Sequence, residues 1–411
     1  MSVVAKLMRV PVAGAAAVLA VVAVAVPAAA DNPQHAPDGL SFYSPPAELT
    51  PGAHGSVIWA RPLTGDPALP GARNFLVLYR SVDLQGNPVA VSGTVAVPDG
   101  PVPAEGWPLI SWAHGTTGTA DVCAPSRDTS DAFLAHDYTA VTRQTQAEWI
   151  AAGYAVAQTD YQGQGTPGPH GYLIGETEQR AVADMALAAR AVAPEIGTRW
   201  VAMGHSQGGQ AAVFANARAQ NWAPALRLLG SVSLAPASHL APTVQALALG
   251  ERLGVADALG AGAPGSAAFL PLFLRGAQTA AEVDPAKFLT PKAGSMVADA
   301  DDRCVGQLRA QDSWGGLRAD EVFTRDPDVG ALVAVLDAND PSTLTFSTPL
   351  LVQQGLGDTV VAPAGTDAMV AQQRLAGQPV EYRTYPGVDH RGLIAAGFSD
   401  ALGWVNTRFG R

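Results

Sequence analysis

Apolar and polar residues alternate with different periods along this chain, and the period predicts the element. Residues 75–80 and 89–97 alternate every second position, as antiparallel strands do, with Leu84-Gln85-Gly86-Asn87-Pro88 as the turn between them. Short apolar runs predict buried strands at 108–113, 154–159, 199–203 and 228–234. Helical spacing appears between them at 145–153, 176–193 and 207–220. Strands alternating with helices predict a mostly parallel sheet covered on both faces, with sites at the carboxyl ends of the strands. From 236 to about 345 the alternation stops. Helical patterns at 244–253 and 267–274, divided by Gly260-Ala261-Gly262-Ala263-Pro264-Gly265, predict an inserted helical cap. Strand signals return at 349–353 and 380–385, and 398–409 reads as a closing helix. Residues 31–70, rich in proline and glycine and carrying Phe42, Tyr43 and Trp59, read as an extended lead-in that wraps the core. The expected division is a leader (1–30), a core in two parts (31–235 and 346–411) and a cap (236–345).

Composition sharpens this picture. With 411 residues, 48% of them hydrophobic and 15% charged, a sizeable core is available. Residues 1–30 carry the pattern of a secretory signal: Lys6 and Arg9, an apolar run over 10–26, and Ala28-Ala29-Ala30 ahead of Asp31. The run is shorter than the roughly 20 residues of a spanning helix. An exported protein cleaved after Ala30, with no integral membrane span in the mature chain, is expected. The formal net charge is −11, and loss of Lys6 and Arg9 leaves 23 basic residues against 36 acidic ones. That excess argues against nucleic-acid partners and anionic membranes, and favours neutral substrates. Cys123 and Cys304 are the only cysteines. Outside the cytosol they are expected to form a disulfide, contributing on the order of 4 kcal/mol.

The candidate chemistry centres on Gly204-His205-Ser206-Gln207-Gly208. Gly-x-Ser-x-Gly recurs by chance, but here a buried strand precedes it and an Ala-rich helix follows, the setting of a nucleophile elbow. A serine hydroxyl needs a base, and the base an orienting acid. On this fold the chain order is Ser, then Asp or Glu, then His. His390 is the one histidine beyond the penultimate predicted strand, and Asp358, in Gly355-Leu356-Gly357-Asp358, precedes it. Asp160 and Asp389 are the rival acids. An oxyanion needs preset N–H donors. The amide of Gln207 is one candidate, and Thr116, in His114-Gly115-Thr116-Thr117-Gly118, is the other. Gly163-Gln164-Gly165-Thr166-Pro167-Gly168 matches a dinucleotide fingerprint, but Pro167 and Pro169 prevent a helix from opening there, so a shaped rim loop is expected, with Tyr161 near the pocket. Asp299-Ala300-Asp301-Asp302 lacks calcium-loop spacing and reads as a solvated face. The histidines show no ligand-like spacing; no metal and no cofactor are expected.

Several stretches together resemble the secretory lipase family, the α/β-hydrolases of the fungal lipase A type and their bacterial relatives. They are Phe42-Tyr43-Ser44-Pro45-Pro46, Trp112-Ala113-His114-Gly115-Thr116-Thr117-Gly118, Cys123-Ala124-Pro125-Ser126, Thr159-Asp160-Tyr161-Gln162-Gly163-Gln164-Gly165-Thr166-Pro167-Gly168, the elbow itself through Gly209, and Tyr385-Pro386-Gly387-Val388-Asp389-His390. The resemblance implies a secreted ester hydrolase with the triad Ser206, Asp358 and His390 and a helical lid over an acyl-binding cavity. Neutral acyl esters, acylglycerols foremost, are the expected substrates. Leu247, Leu249, Phe269, Leu272 and Phe273 are candidates for lining the acyl site, although ordinary helix packing accounts for any one of them as well. A peptidase or acyltransferase on the same fold, or a silent cell-surface binding module, are the competing readings.

Overall fold

The computed structural model describes residues 36–47, 49, 52–253 and 267–411. The expected leader and its cleavage point, and the glycine-rich divider at 260–265, lie outside the described residues. Among those described, nine strands form one sheet: β1 (Val57–Pro62), β2 (Ala72–Val82), β3 (Pro88–Pro98), β4 (Trp107–Ala113), β5 (Ala155–Thr159), β6 (Ile196–His205), β7 (Arg227–Leu234), β8 (Leu350–Gly355) and β9 (Val380–Tyr385). Their order is β1-β2-β3-β5-β4-β6-β7-β8-β9.

β2 and β3 form the expected hairpin, with Phe75 opposite Val95 and Tyr79 opposite Val91. Asp83 closes its turn by accepting hydrogen bonds from the Asn87 backbone N–H at 2.8 Å and side-chain amide at 2.9 Å. β3 joins β5 antiparallel, and from β5 through β9 all pairings are parallel. β1 corrects the lead-in reading: residues within 31–70 pair along β2 as a sheet edge. Six residues ending at Pro62, only two of them buried, carry too little alternation to announce a strand. Phe42, Tyr43 and Trp59 do pack on the sheet as expected, in one cluster with Leu76 and Leu78.

All seven residues of β4 and all five of β5 are buried, which is why central parallel strands read as unbroken apolar runs. Helices α2 (Gly175–Val192) and α3 (Gln207–Trp222) cover one face, where Ala181, Ala188, Ala211 and Ala215 allow close approach to Val95, Leu109 and Ala202. Helix α1 (His136–Ala151) and the closing helix Phe398–Phe409 cover the other, packing Trp149 and Trp404 around Trp112 and Ile110. Each such fully buried aromatic contributes about 2–3 kcal/mol of transfer free energy. A further helix, Pro363–Leu375, was not evident from the periodicity of its residues.

Between β7 and β8 lie α4 (Leu240–Leu253), a 3₁₀ turn at Ala267–Phe269, α5 (Leu270–Gln278), three helices of four or five residues, and the helix Gly330–Ala338. This region builds its own apolar cluster from Leu272, Leu274, Phe288, Leu308, Trp314 and Leu332, onto which Tyr172 and Ile174 also pack. It is tied to the loop after β4. Cys123 and Cys304 are disulfide-bonded, Gly118 bridges Cys304, the Val305 amide donates to the Thr117 carbonyl at 2.8 Å, and the Thr119 hydroxyl donates to the Ala300 carbonyl at 2.7 Å. Among the described residues no helix is long and apolar enough to cross a membrane.

Candidate active site

β6 delivers Ser206 at a turn with φ 61° and ψ −117°, directly before α3. A left-handed serine is strained, and it is held here because its amide donates to the Leu234 carbonyl at 2.8 Å while its own carbonyl accepts from Gln210. Glycine is required on both sides of it: a Cβ on Gly204 would lie 2.2 Å from the Gly208 carbonyl oxygen, and one on Gly208 1.9 Å from that of Ala113. The turn therefore lifts the serine side chain off the sheet, at the carboxyl end of the parallel strands.

Two further strand ends converge there. Asp358 follows β8, and His390 follows β9. His390 Nδ1 and Asp358 Oδ2 are 2.7 Å apart, and the carboxylate is fully enclosed. Its other oxygen accepts the amides of Val360 at 2.8 Å and Val361 at 2.9 Å. Burial pushes the Asp358 carboxyl up, but the His390 ring and those two amides outweigh it and hold the group below its ordinary value. Asp358 is thus a carboxylate at neutral pH. Ser206 and His390 border one cleft of about 220 Å³, together with Thr116, Tyr138, Phe269, Val305, Arg309, Val360, Asp389 and Arg391. In this arrangement the imidazole can take a proton from the serine while the carboxylate steadies the resulting cation.

The rival acids are occupied elsewhere. Asp160 is buried against Ser92 and Ser126, and Asp389 accepts the Gly392 amide at 2.7 Å. Gln207 opens α3 with its side chain turned inward, donating to Glu178 at 2.8 Å and lying 3.2 Å from His170 Nε2. Its backbone amide is thereby fixed beside Ser206. Thr116 lines the cleft, its hydroxyl 2.7 Å from that of Tyr172. Burial drives the Glu178 carboxyl up to about 8, against the hydrogen bonds from Gln207 and the Leu173 amide, and drives His170 and His114 down to about 4.

A relay not evident from the sequence links the three loops. The Gly115 amide donates to the Tyr138 hydroxyl at 2.6 Å, and that hydroxyl lies 3.1 Å from His205 Nδ1. The His390 carbonyl can only accept, so His205 carries its proton on Nε2 and donates it there at 2.8 Å, which leaves Nδ1 to accept from the Tyr138 hydroxyl. Burial pushes His205 far below the ordinary histidine range, in keeping with a neutral ring. His205 was visible as the residue before the serine; Tyr138, 67 residues away in sequence, had no local signal.

Of the acyl-site candidates only Phe269 lies on the described wall of this cleft. Leu272 is sealed in the apolar cluster of the 236–345 region, Leu247 and Phe273 pack against that cluster, and Leu249 is 53% exposed. Tyr161 is buried below the floor, its hydroxyl donating to the His114 carbonyl at 2.8 Å. Helical spacing cannot say which stripe faces a cavity and which faces a neighbour. Residues 163–168 form a loop, and α2 begins only at Gly175. In the 299–302 stretch Asp301 pairs with Arg275 and Asp299 accepts from Ser313, while Asp302 is exposed. A larger cavity of about 460 Å³, lined among others by Asp121, Gly163, His170, Arg275 and Asp301, does not include Ser206. Among the described residues no group of three or more His, Cys, Asp or Glu is arranged to hold a metal ion.

A family model described as serine aminopeptidase, S33 matches residues 135–394. A Mycobacterium tuberculosis (strain CDC 1551 / Oshkosh) protein named probable inactive lipase is 29% identical over 225 residues, or 51% of this chain and 48% of that protein. The chain thus spans about half the length of the curated relative it matches. Candida antarctica lipase A superposes with a TM-score of 0.67 at 19% identity, covering 87% of this chain and 83% of that one. The rice cell wall degrading esterase LipA from Xanthomonas oryzae, in a ligand-bound form, gives 0.66 at 16% identity, covering 87% and 98%. At such identities these likenesses are of fold. The family match, which spans β5 through β9 together with Ser206, Asp358 and His390, shows that the chain belongs to the α/β-hydrolase family described as serine aminopeptidase, S33, with an architecture of the lipase type.

Proposed function

We propose that this protein is an exported ester hydrolase that works through an acyl-enzyme on Ser206. The observation that carries the reading is the enclosed 2.7 Å pair of Asp358 and His390 at the mouth of the cleft that Ser206 borders. His390 takes the Ser206 proton, and the serine oxygen attacks the ester carbonyl. The amides of Gln207 and Thr116 hold the oxyanion. The alcohol leaves with the proton from His390, and water activated by the same ring releases the acid. The 236–345 region acts as the cap. A cleft of about 220 Å³ favours short acyl chains, below the usual range of about 300–1,000 Å³ for pockets that hold drug-sized ligands. Short-chain acylglycerols are accordingly the acylglycerols to try first.

The family description raises an aminopeptidase as the second reading. An aminopeptidase must receive a protonated amine. This cleft offers two guanidinium groups, Arg309 and Arg391, and its one lining carboxylate, Asp389, is already bonded to the Gly392 amide. Charge therefore favours esters. The silent-module reading, which the name of the mycobacterial relative keeps alive, makes a different forecast. An organophosphonate should label the wild type and not Ser206→Ala, and Ser206→Ala should lose nearly all turnover of 4-nitrophenyl butyrate while keeping its melting temperature. Absence of labelling, with the fold intact, would establish the silent module instead.

A further inference from the structure

The cleft beside Ser206 holds one cation without a carboxylate partner among the described residues. The protein carries a formal net charge of −11. The charged side chains that line the cleft are Arg309, Arg391 and Asp389, beside the enclosed Asp358 carboxylate that faces His390. Arg391 pairs with Asp137 at 2.5 Å and lies over the Tyr138 ring. Asp389 accepts the Gly392 amide. Arg309 has no carboxylate within ion-pair reach among the described residues. It follows the short helix Val305–Leu308, next to the stitch that joins this region to the oxyanion-side loop. Its guanidinium lies 5.0 Å from the centre of the Phe269 ring, itself part of the cleft wall. Stacking restrains the plane of the fork without using its N–H donors, which stay available for a two-oxygen anion. Arg309 is exposed to solvent at the cleft edge, and a guanidinium keeps its charge there.

We propose that the ester cleaved at Ser206 carries an anionic group, a carboxylate or a phosphate-type oxyanion, and that Arg309 receives it at the cap side of the cleft. This rests on the ester-hydrolase reading above and narrows it from the neutral esters expected from net charge to esters that an unpaired guanidinium can hold. A restrained, unpaired fork at this position selects for charge at a distance from the carbonyl, so it acts on substrate choice and leaves the chemistry to Ser206 and His390.

The test compares three chromogenic esters of similar length: 4-nitrophenyl pentanoate, the 4-nitrophenyl monoester of glutaric acid, and 4-nitrophenyl 4-phosphonobutanoate. For the wild type, kcat/KM for at least one charged ester should exceed that for the pentanoate by about 10- to 100-fold, mostly through KM. The advantage should shrink in high salt. Which charged ester gains more decides between carboxylate and phosphate. Arg309→Gln should bring the charged-to-neutral ratio close to one, and Arg309→Lys should keep part of it as a bare point charge. Competition by free glutarate or inorganic phosphate against pentanoate hydrolysis should weaken in parallel. Pentanoate turnover with no advantage for either charged ester, or a ratio unmoved by Arg309→Gln in a variant with wild-type melting, would overturn the assignment and leave the ester-hydrolase reading standing. No turnover of any ester together with no phosphonate labelling would remove both.

Discussion

On the sheet side of the cleft, candidate groups are locked by several partners each. Asp358 accepts two backbone amides as well as facing His390, and His205 bonds both Tyr138 and the His390 carbonyl. On the opposite side, Phe269 comes from a three-residue 3₁₀ turn, Val305 opens a four-residue helix and Arg309 directly follows it. The first wall is an extension of strands whose pairing leaves little freedom; the second is a set of short pieces held by a separate apolar cluster and by a disulfide. Acyl-transfer chemistry needs groups held to within a fraction of an ångström, whereas choosing a substrate needs only shape and charge. The proposed division of labour follows from that difference, and mutations on the two walls should separate it.

The largest effect is expected on the sheet wall. Asp358→Asn should lower kcat for a short-chain ester by about 10³–10⁴-fold with little change in KM, because the amide cannot stabilise the imidazolium; steady-state kinetics check it. Next comes Tyr138→Phe, which strands the Gly115 amide and frees His205. It should lower kcat by about 10- to 100-fold without moving the serine, as 4-nitrophenyl butyrate kinetics alongside phosphonate labelling would reveal. On the cap wall the double change Cys123→Ala, Cys304→Ala should cost about 2–5 kcal/mol by opening a loop of 181 residues, seen as a lower denaturation midpoint. It should alter substrate preference more than the rate with the smallest ester. A comparable loss of rate from this pair and from Tyr138→Phe would erase the contrast between the walls.

The smallest effect is pH-dependent. Glu178 has a folded value of about 8 against an ordinary 4.5, so between those values the folded chain keeps a proton that the unfolded chain has lost. Its contribution to stability therefore declines as pH rises from 4.5 to 8. Glu178→Gln should melt about 2–4 °C above the wild type at pH 8, and the gap should close toward pH 4.5. Asp358 has the opposite sign: its lowered value supports the fold at neutral pH and ceases to do so as the carboxyl protonates in acid.

Much of this molecule could be read one residue type at a time. Runs of Val, Ile and Ala marked the buried strands because a parallel strand covered on both faces has to be apolar throughout. Ser206 stood out because a strand, two small residues and a helix surround it, and His390 because the expected order of strands leaves one histidine after them. Edge strand β1 buries only two residues, and the helix Pro363–Leu375 buries Thr366 and Gln373 beside Met369 and Val370, so neither shows an apolar period. In the 236–345 region the spacings at 244–253 and 267–274 overlap α4 and α5, while the pieces of three to five residues between the longer helices are too short for any period to show. Tyr138, Glu178 and Arg309 belong to a different category. Each matters through partners 23 or more residues away, and nothing in the neighbouring residues encodes such a partner. Local periodicity follows from backbone geometry and burial, which each segment carries in its own residues. The meeting of the Asp358 carboxylate with His390, the tautomer of His205 and the unpaired charge of Arg309 follow from how nine strands and their loops close around one rim, and that closure exists only once the chain has packed.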